Sequence, residues 1–194
     1  RVLALLDVLR ISFTTLVGHD LGGGIAQYLA VRHPTRVARL LLVSSVAFDS
    51  WPTRDVRIVK ATLPLTRFLP ASWVASVLRS DLLRGYSDEQ RGGHSVDMYI
   101  RPFEGPEGRD TLIEHIAALD SDETMALAPR LKDIVAPTSI LAGAHDPFLA
   151  ISVAERLHDA IPKSSLEVIP TARHFVPEVA PQNVGDAIAD LVSR

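Results

Sequence analysis

Three side chains in this sequence could divide the work of nucleophilic catalysis: Asp20, Asp146 and His174. Asp20 sits in Leu16-Val17-Gly18-His19-Asp20-Leu21-Gly22-Gly23-Gly24, a G-x-D-x-G pattern. An apolar run leads into it and a helical stretch, Ile25 to Val31, leads out. A strand that turns sharply into a helix needs glycines where side chains would collide. Such an elbow lifts its central side chain above the sheet, beside the next helix N-terminus, where free N–H groups favour negative charge. The functional reading is a nucleophilic carboxylate; the plain alternative is a turn with Asp20 as N-cap. Asp146 lies in Gly143-Ala144-His145-Asp146-Pro147 and His174 in Ala172-Arg173-His174-Phe175. Alone, an Asp before Pro is a turn former and a loop His is a structural residue. Together they offer a nucleophile, an acid and a base, in that chain order.

The elements around them read as a parallel sheet. Residues 1–9 have helical character, and an apolar strand is predicted over 13–17. A helix runs to about His33, where Pro34 stops it. Continuous apolar runs at 39–44, 138–142 and 165–169 read as buried strands, with helices predicted at about 151–160 and 181–192. Between about 47 and 128 no strand is predicted. Helical pieces there are punctuated by Pro52, Pro64, Pro70, Gly85, Gly92-Gly93, Pro102 and Gly105-Pro106. The organisation is an α/β core in two parts, 1–46 and 129–194, with a helical insertion over 47–128 placed as a lid above the strand ends. Ligands bind at the carboxyl ends of parallel strands, and all three reactive side chains fall there.

Composition narrows the function. The chain has 194 residues, 47% hydrophobic and 22% charged, with a formal net charge of −3. That is long enough for a substantial core. It has no cysteine, which excludes a disulfide framework, a thiol nucleophile and a cysteine metal site. The mild acidity points to neither nucleic acid nor membrane. With no bilayer-spanning run and no signal peptide, a cytoplasmic location is expected. The chain starts at Arg1, inside a predicted helix.

These motifs resemble the α/β-hydrolase superfamily, and within it the Asp-nucleophile branch of epoxide hydrolases and haloalkane or haloacetate dehalogenases. The resemblance rests on Gly18-His19-Asp20-Leu21-Gly22-Gly23, His33-Pro34 with Arg36-Val37, Gly143-Ala144-His145-Asp146, and Ala172-Arg173-His174-Phe175 with Glu178 and Pro181. It implies a helical cap on a hydrolase core and an Asp20–His174–Asp146 triad, with the Leu21 N–H as an oxyanion donor. It also implies an alkyl ester of Asp20 that water, activated by His174, cleaves. The substrate is then a small apolar molecule, and no cofactor is required. No oligomeric state is implied. Epoxide opening would use cap tyrosines, for which Tyr86 and Tyr99 are the candidates. Halide release would use N–H donors; Trp51 is one candidate, while Leu21 stands where a Trp often follows the nucleophile. His19, Phe148 and Phe175 would line the cavity, and Asp49 is a second candidate acid. For the aromatic residues, packing is the plain alternative.

Two features depart from the pattern. Only a helix and one strand precede the elbow, and the sequence has no His-Gly pair for the second oxyanion donor. The resemblance therefore implies a core truncated at its N-terminal side. Losing one such donor costs about 3 kcal/mol of transition-state stabilisation. The chain by itself is expected to turn over poorly, or to act only as a binding protein. A turnover matching that of a longer relative would refute this.

Overall fold

A computed structural model describes residues 1–193, with Glu89 described through its backbone only. The chain opens with α1 (Val2–Val8) and then alternates β1 (Thr14–Asp20), α2 (Leu21–Arg32) and β2 (Val37–Ser45). After a helical insertion come β3 (Thr138–Gly143), α8 (Ile151–Ala160), β4 (Ser164–Ile169), the short α9 (Val176–Val179) and α10 (Pro181–Ser193). The insertion holds α3 (Arg54–Thr66), α4 (Ala71–Leu83), α5 (Glu89–Ile100), α6 (Pro106–Ala118) and α7 (Asp122–Leu127). Among the described residues no strand lies between Ser45 and Thr138.

The strands form one parallel sheet in the order β1-β2-β3-β4. Helices cover both faces, so a central strand must be apolar at every position. β2 meets this: Leu40, Leu41, Leu42 and Val43 are all at 0% exposure. Leu40 and Leu42 point to a core shared with Ala26, Leu29 and Ala30 of α2 and Leu157 of α8. Leu41 and Val43 point to the opposite core, with Val176, Ala187 and Leu191. β1 is an edge strand, and Val17 is exposed.

The strand expected to end at Gly18 instead runs through Asp20, and the helix expected from Ile25 begins at Leu21. Glycines read as breakers in sequence, but here they are packing surfaces. A Cβ on Gly18 would lie 2.5 Å from the Gly22 carbonyl oxygen, and one on Gly23 would lie 2.0 Å from Ser45 Oγ. The first turn of α2 is thus pressed onto β1 and β2. Gln27, buried on the same helix, locks the contact by donating through Nε2 to Ser45 Oγ and the Val46 carbonyl, both at 2.9 Å.

The insertion has caps and a small core of its own. Asp88 Oδ1 accepts from the Gln90 and Arg91 N–H groups, which starts α5. Ala75, Tyr86, Val96 and Ile100 bury one another and pack against Phe175 and Val179.

Gly22 gives the control for the packing argument, because a Cβ there meets nothing within 4 Å. Gly23→Ala is expected to lower stability by about 1–3 kcal/mol through overpacking. Gly22→Ala is expected to leave the urea midpoint nearly unchanged. Equal midpoints for the two variants would refute the account.

Candidate active site

Asp20 is held in a sparsely populated conformation, φ 52° and ψ −122°. A non-glycine residue keeps such a backbone only where its surroundings over-determine it. Here they do: the Asp20 carbonyl accepts from the Val46 N–H at 3.3 Å, beside the Gln27 lock, and the glycines leave no room to relax. The turn aims the carboxylate out of the sheet. The Leu21 N–H follows in the first turn of α2, where N–H groups have no intrahelical acceptor.

Asp146 sits just beyond β3, and its side chain is 3% exposed. Oδ1 accepts from the Phe148 and Leu149 N–H groups at 2.8 and 3.0 Å. Oδ2 accepts from His174 Nδ1 at 2.8 Å. A carboxylate only accepts, so this bond places the imidazole proton on Nδ1 and leaves the Nε2 lone pair free. Nε2 lies 3.9 Å from Asp20 Oδ1. That is too long for a direct hydrogen bond, and a water bonded to both atoms can span it.

The rest of His174 is tied down. Its N–H donates to the Gly85 carbonyl at 3.0 Å, and its carbonyl accepts from His19 Nε2 at 3.0 Å. Phe148 and Phe175 meet the imidazole edge to face at 5.0 and 5.2 Å between ring centres. Burial, with the adjacent His174 imidazole second, pushes the His19 pKa below its ordinary value. His19 is therefore a neutral donor.

Tyr86 and Tyr99 gather around Phe175. Tyr86 stacks on that ring at 4.4 Å, and Tyr99 lies 6.3 Å away. Tyr99 donates its hydroxyl to Glu178 Oε1 at 2.6 Å, which with burial raises its pKa. Tyr86 is 1% exposed, and its hydroxyl faces Glu178 and Ser95 without hydrogen-bond geometry to either. Burial, then Glu178, pushes its pKa upward. Burial would raise the Glu178 carboxyl too, but Ser95, Tyr99 and Tyr86 outweigh it and hold the pKa below the ordinary value.

Two of the candidates have partners of their own. The Trp51 indole N–H donates to Thr124 Oγ1 at 2.9 Å, and Thr124 in turn donates to the Phe48 carbonyl. Asp49, the second candidate acid, is an exposed partner of Arg156 on α8, at 3.2 Å. Beside Leu21 lies an apolar cavity of about 320 Å³, lined by Ile25, Tyr28, Val46, Trp51 and Leu127 among others. Tyr28 is half exposed and forms part of that wall. Among the described residues no group of three or more His, Asp or Glu is arranged to hold a metal ion, and no helix is long and apolar enough to cross a membrane. Sequence reasoning missed the Gly85 carbonyl as a partner of His174. A lone glycine among many turn residues gave no signal for it.

Comparison with known proteins agrees with this architecture. A family model for the alpha/beta hydrolase fold matches residues 2–181. The chain is 26% identical to the uncharacterized hydrolase YugF of Bacillus subtilis, over 98% of this chain and 69% of that protein. It is 25% identical to 3-oxoadipate enol-lactonase 2 of Acinetobacter baylyi, over 100% of this chain and 68% of that protein. An alpha/beta hydrolase fold protein from Burkholderia ambifaria superposes with a TM-score of 0.87 at 24% identity, covering 96% of this chain and 69% of the other.

Two outcomes follow from the His174 environment. In Asp146→Asn the side-chain amide can sit opposite Nδ1 as a donor, so the His174 proton is expected to move to Nε2. Nitrogen NMR on histidine-labelled protein reads the tautomer, and an unchanged Nδ1–H would refute the assignment. For His19, the unfolded chain takes up a proton near 6.5, while the folded chain does so only at lower pH. Its contribution to stability is full above about pH 6.5 and is lost as pH falls below that value. Replacing His19 with Gln should flatten this slope in urea titrations across pH 7 to 5.

Proposed function

Since this chain belongs to the alpha/beta hydrolase fold family, we propose that it is a hydrolase whose nucleophile is the Asp20 carboxylate and whose target is an sp3 carbon. One observation carries the reading. A carboxylate on a strained elbow faces the sole uncommitted ring nitrogen of a histidine whose other polar groups are all engaged.

Serine at an elbow suits acyl transfer, because water cleaves its ester at the acyl carbon. A carboxylate attacking an ester carbonyl would form an anhydride. Attack on an sp3 carbon gives an alkyl ester of Asp20 while the bond to the leaving group breaks. A water between His174 Nε2 and Asp20 then loses its proton to Nε2 and adds to the Asp20 carbonyl carbon. The Leu21 N–H stabilises the resulting oxyanion. Collapse expels an alkoxide, which takes the proton back from His174, and leaves Asp20 as the acid with one oxygen from water; loss of that second water proton to solvent regenerates the carboxylate. Asp146 stabilises the imidazolium in between.

Epoxides are the preferred substrates in this reading, and carbon–halogen bonds come second. Opening an epoxide calls for a proton donor, and two phenols flank Phe175 beside His174. Tyr99 must exchange its Glu178 bond for the substrate oxygen to serve. Halide release calls for free N–H donors, whereas the Trp51 indole is committed to Thr124. A second reading, acyl hydrolysis, draws on the enol-lactonase name of one relative. The third is a binding protein without turnover.

Single turnover of styrene oxide or a 1-haloalkane in heavy-oxygen water is expected to label the Asp20 carboxylate, read by peptide mass spectrometry. Turnover without label would sink the alkyl-ester mechanism. Asp20→Asn should abolish turnover. His174→Ala should slow hydrolysis by roughly 10²–10⁴-fold and trap the ester as a mass increase on the protein. Cleavage of a lactone with both sp3 substrates inert would favour the second reading, and binding of all three without cleavage the third.

A further inference from the structure

We infer that Gly85, in the connection between α4 and α5, is a positioning residue for His174, so that the insertion holds the base in place as well as lying over the site. The loop 172–175 is gripped from two sides, each by a glycine. On the sheet side, Gly143 ends β3, and a Cβ there would meet the Arg173 carbonyl oxygen at 2.0 Å. The His145 N–H also donates to the Ala172 carbonyl at 3.1 Å. On the insertion side, the Gly85 carbonyl accepts from both the His174 and Phe175 N–H groups, at 3.0 and 3.3 Å. The neighbouring Arg84 carbonyl accepts from Arg173 Nη1 at 3.0 Å. A Cβ on Gly85 would lie 2.6 Å from the Phe175 ring and 3.1 Å from Phe148. Those are the two rings that wedge the imidazole.

His174 is 5% exposed, so its N–H has no ready access to water if Gly85 withdraws. A buried donor left without an acceptor is costly. The His174 N–H is therefore satisfied only while the 84–86 segment is docked. A motion of the insertion that admits substrate would disturb His174, and redocking would restore it. This role deepens the hydrolase reading and rests on His174 acting as its base.

The test needs no substrate, which separates it from the functional reading. Histidine-labelled protein reports the His174 Nδ1–H proton bonded to Asp146, and amide exchange reports the His174 N–H. Gly85→Ala is expected to shift or abolish the Nδ1–H resonance and to speed His174 amide exchange roughly tenfold or more. Gly85→Ala with Phe175→Leu, which makes room for the new methyl, should restore the slow His174 amide exchange. Gly93→Ala, whose Cβ has only the end of Arg79 within 4 Å, should change neither. A folded Gly85→Ala protein with native resonance and exchange would overturn the proposal. Should that variant fail to fold, Arg173→Ala removes the exposed donor to Arg84 without a clash. Faster His174 exchange in it supports the role, and native exchange overturns it. A wild-type protein that shows the bond but hydrolyses nothing would instead overturn the hydrolase reading alone.

Discussion

The site depends on one free lone pair, that of His174 Nε2. Nδ1–H is spent on Asp146, the backbone N–H on Gly85 and the carbonyl on His19. Each bond comes from a different part of the chain. Asp146 follows β3, Gly85 belongs to the insertion, and His19 sits at the end of β1. The histidine is thus a point where sheet, elbow and insertion meet. Its tautomer and orientation follow from that packing, before any ligand arrives.

Asp20 needs the opposite kind of support. It has to project from the sheet, and a positive φ at a side-chain-bearing residue costs of order 1–3 kcal/mol. The structure offsets that cost with close packing. Gly18 and Gly23 bring α2 onto the sheet, and Gln27 fixes the end of β2 against which the Asp20 carbonyl rests. The residues that make the elbow hold are therefore on β2 and α2, one strand and one helix away from the carboxylate.

This division explains what could be read from the sequence. The strands carry their burial in their composition, as the unbroken Leu40 to Val43 run does, and strand ends locate Asp20, Asp146 and His174. Pairings between distant segments leave no such trace. Tyr99 and Glu178 are 79 positions apart, Trp51 and Thr124 are 73 apart, and either side chain could have faced the cavity. The elbow boundary was misread for another reason. Three consecutive glycines disfavour a helix by local propensity, and the fit of Gly23 against Ser45 and of Gly24 against Val46 overrides it.

The two carboxylates show how environment, and not residue type, assigns the roles. Asp146 is 3% exposed and receives two backbone N–H bonds as well as the imidazole proton. Its charge is fully engaged, which suits it to hold and stabilise a neighbour and unsuits it for attack. Asp20 has a side chain 39% exposed, and no side-chain hydrogen bond caps α2. Its oxygens stand at the N-terminus of α2. It carries charge without having that charge consumed by protein partners. That asymmetry, the same chemical group engaged in one place and presented in another, is what the proposed nucleophile–base–acid line requires when both ends are aspartate.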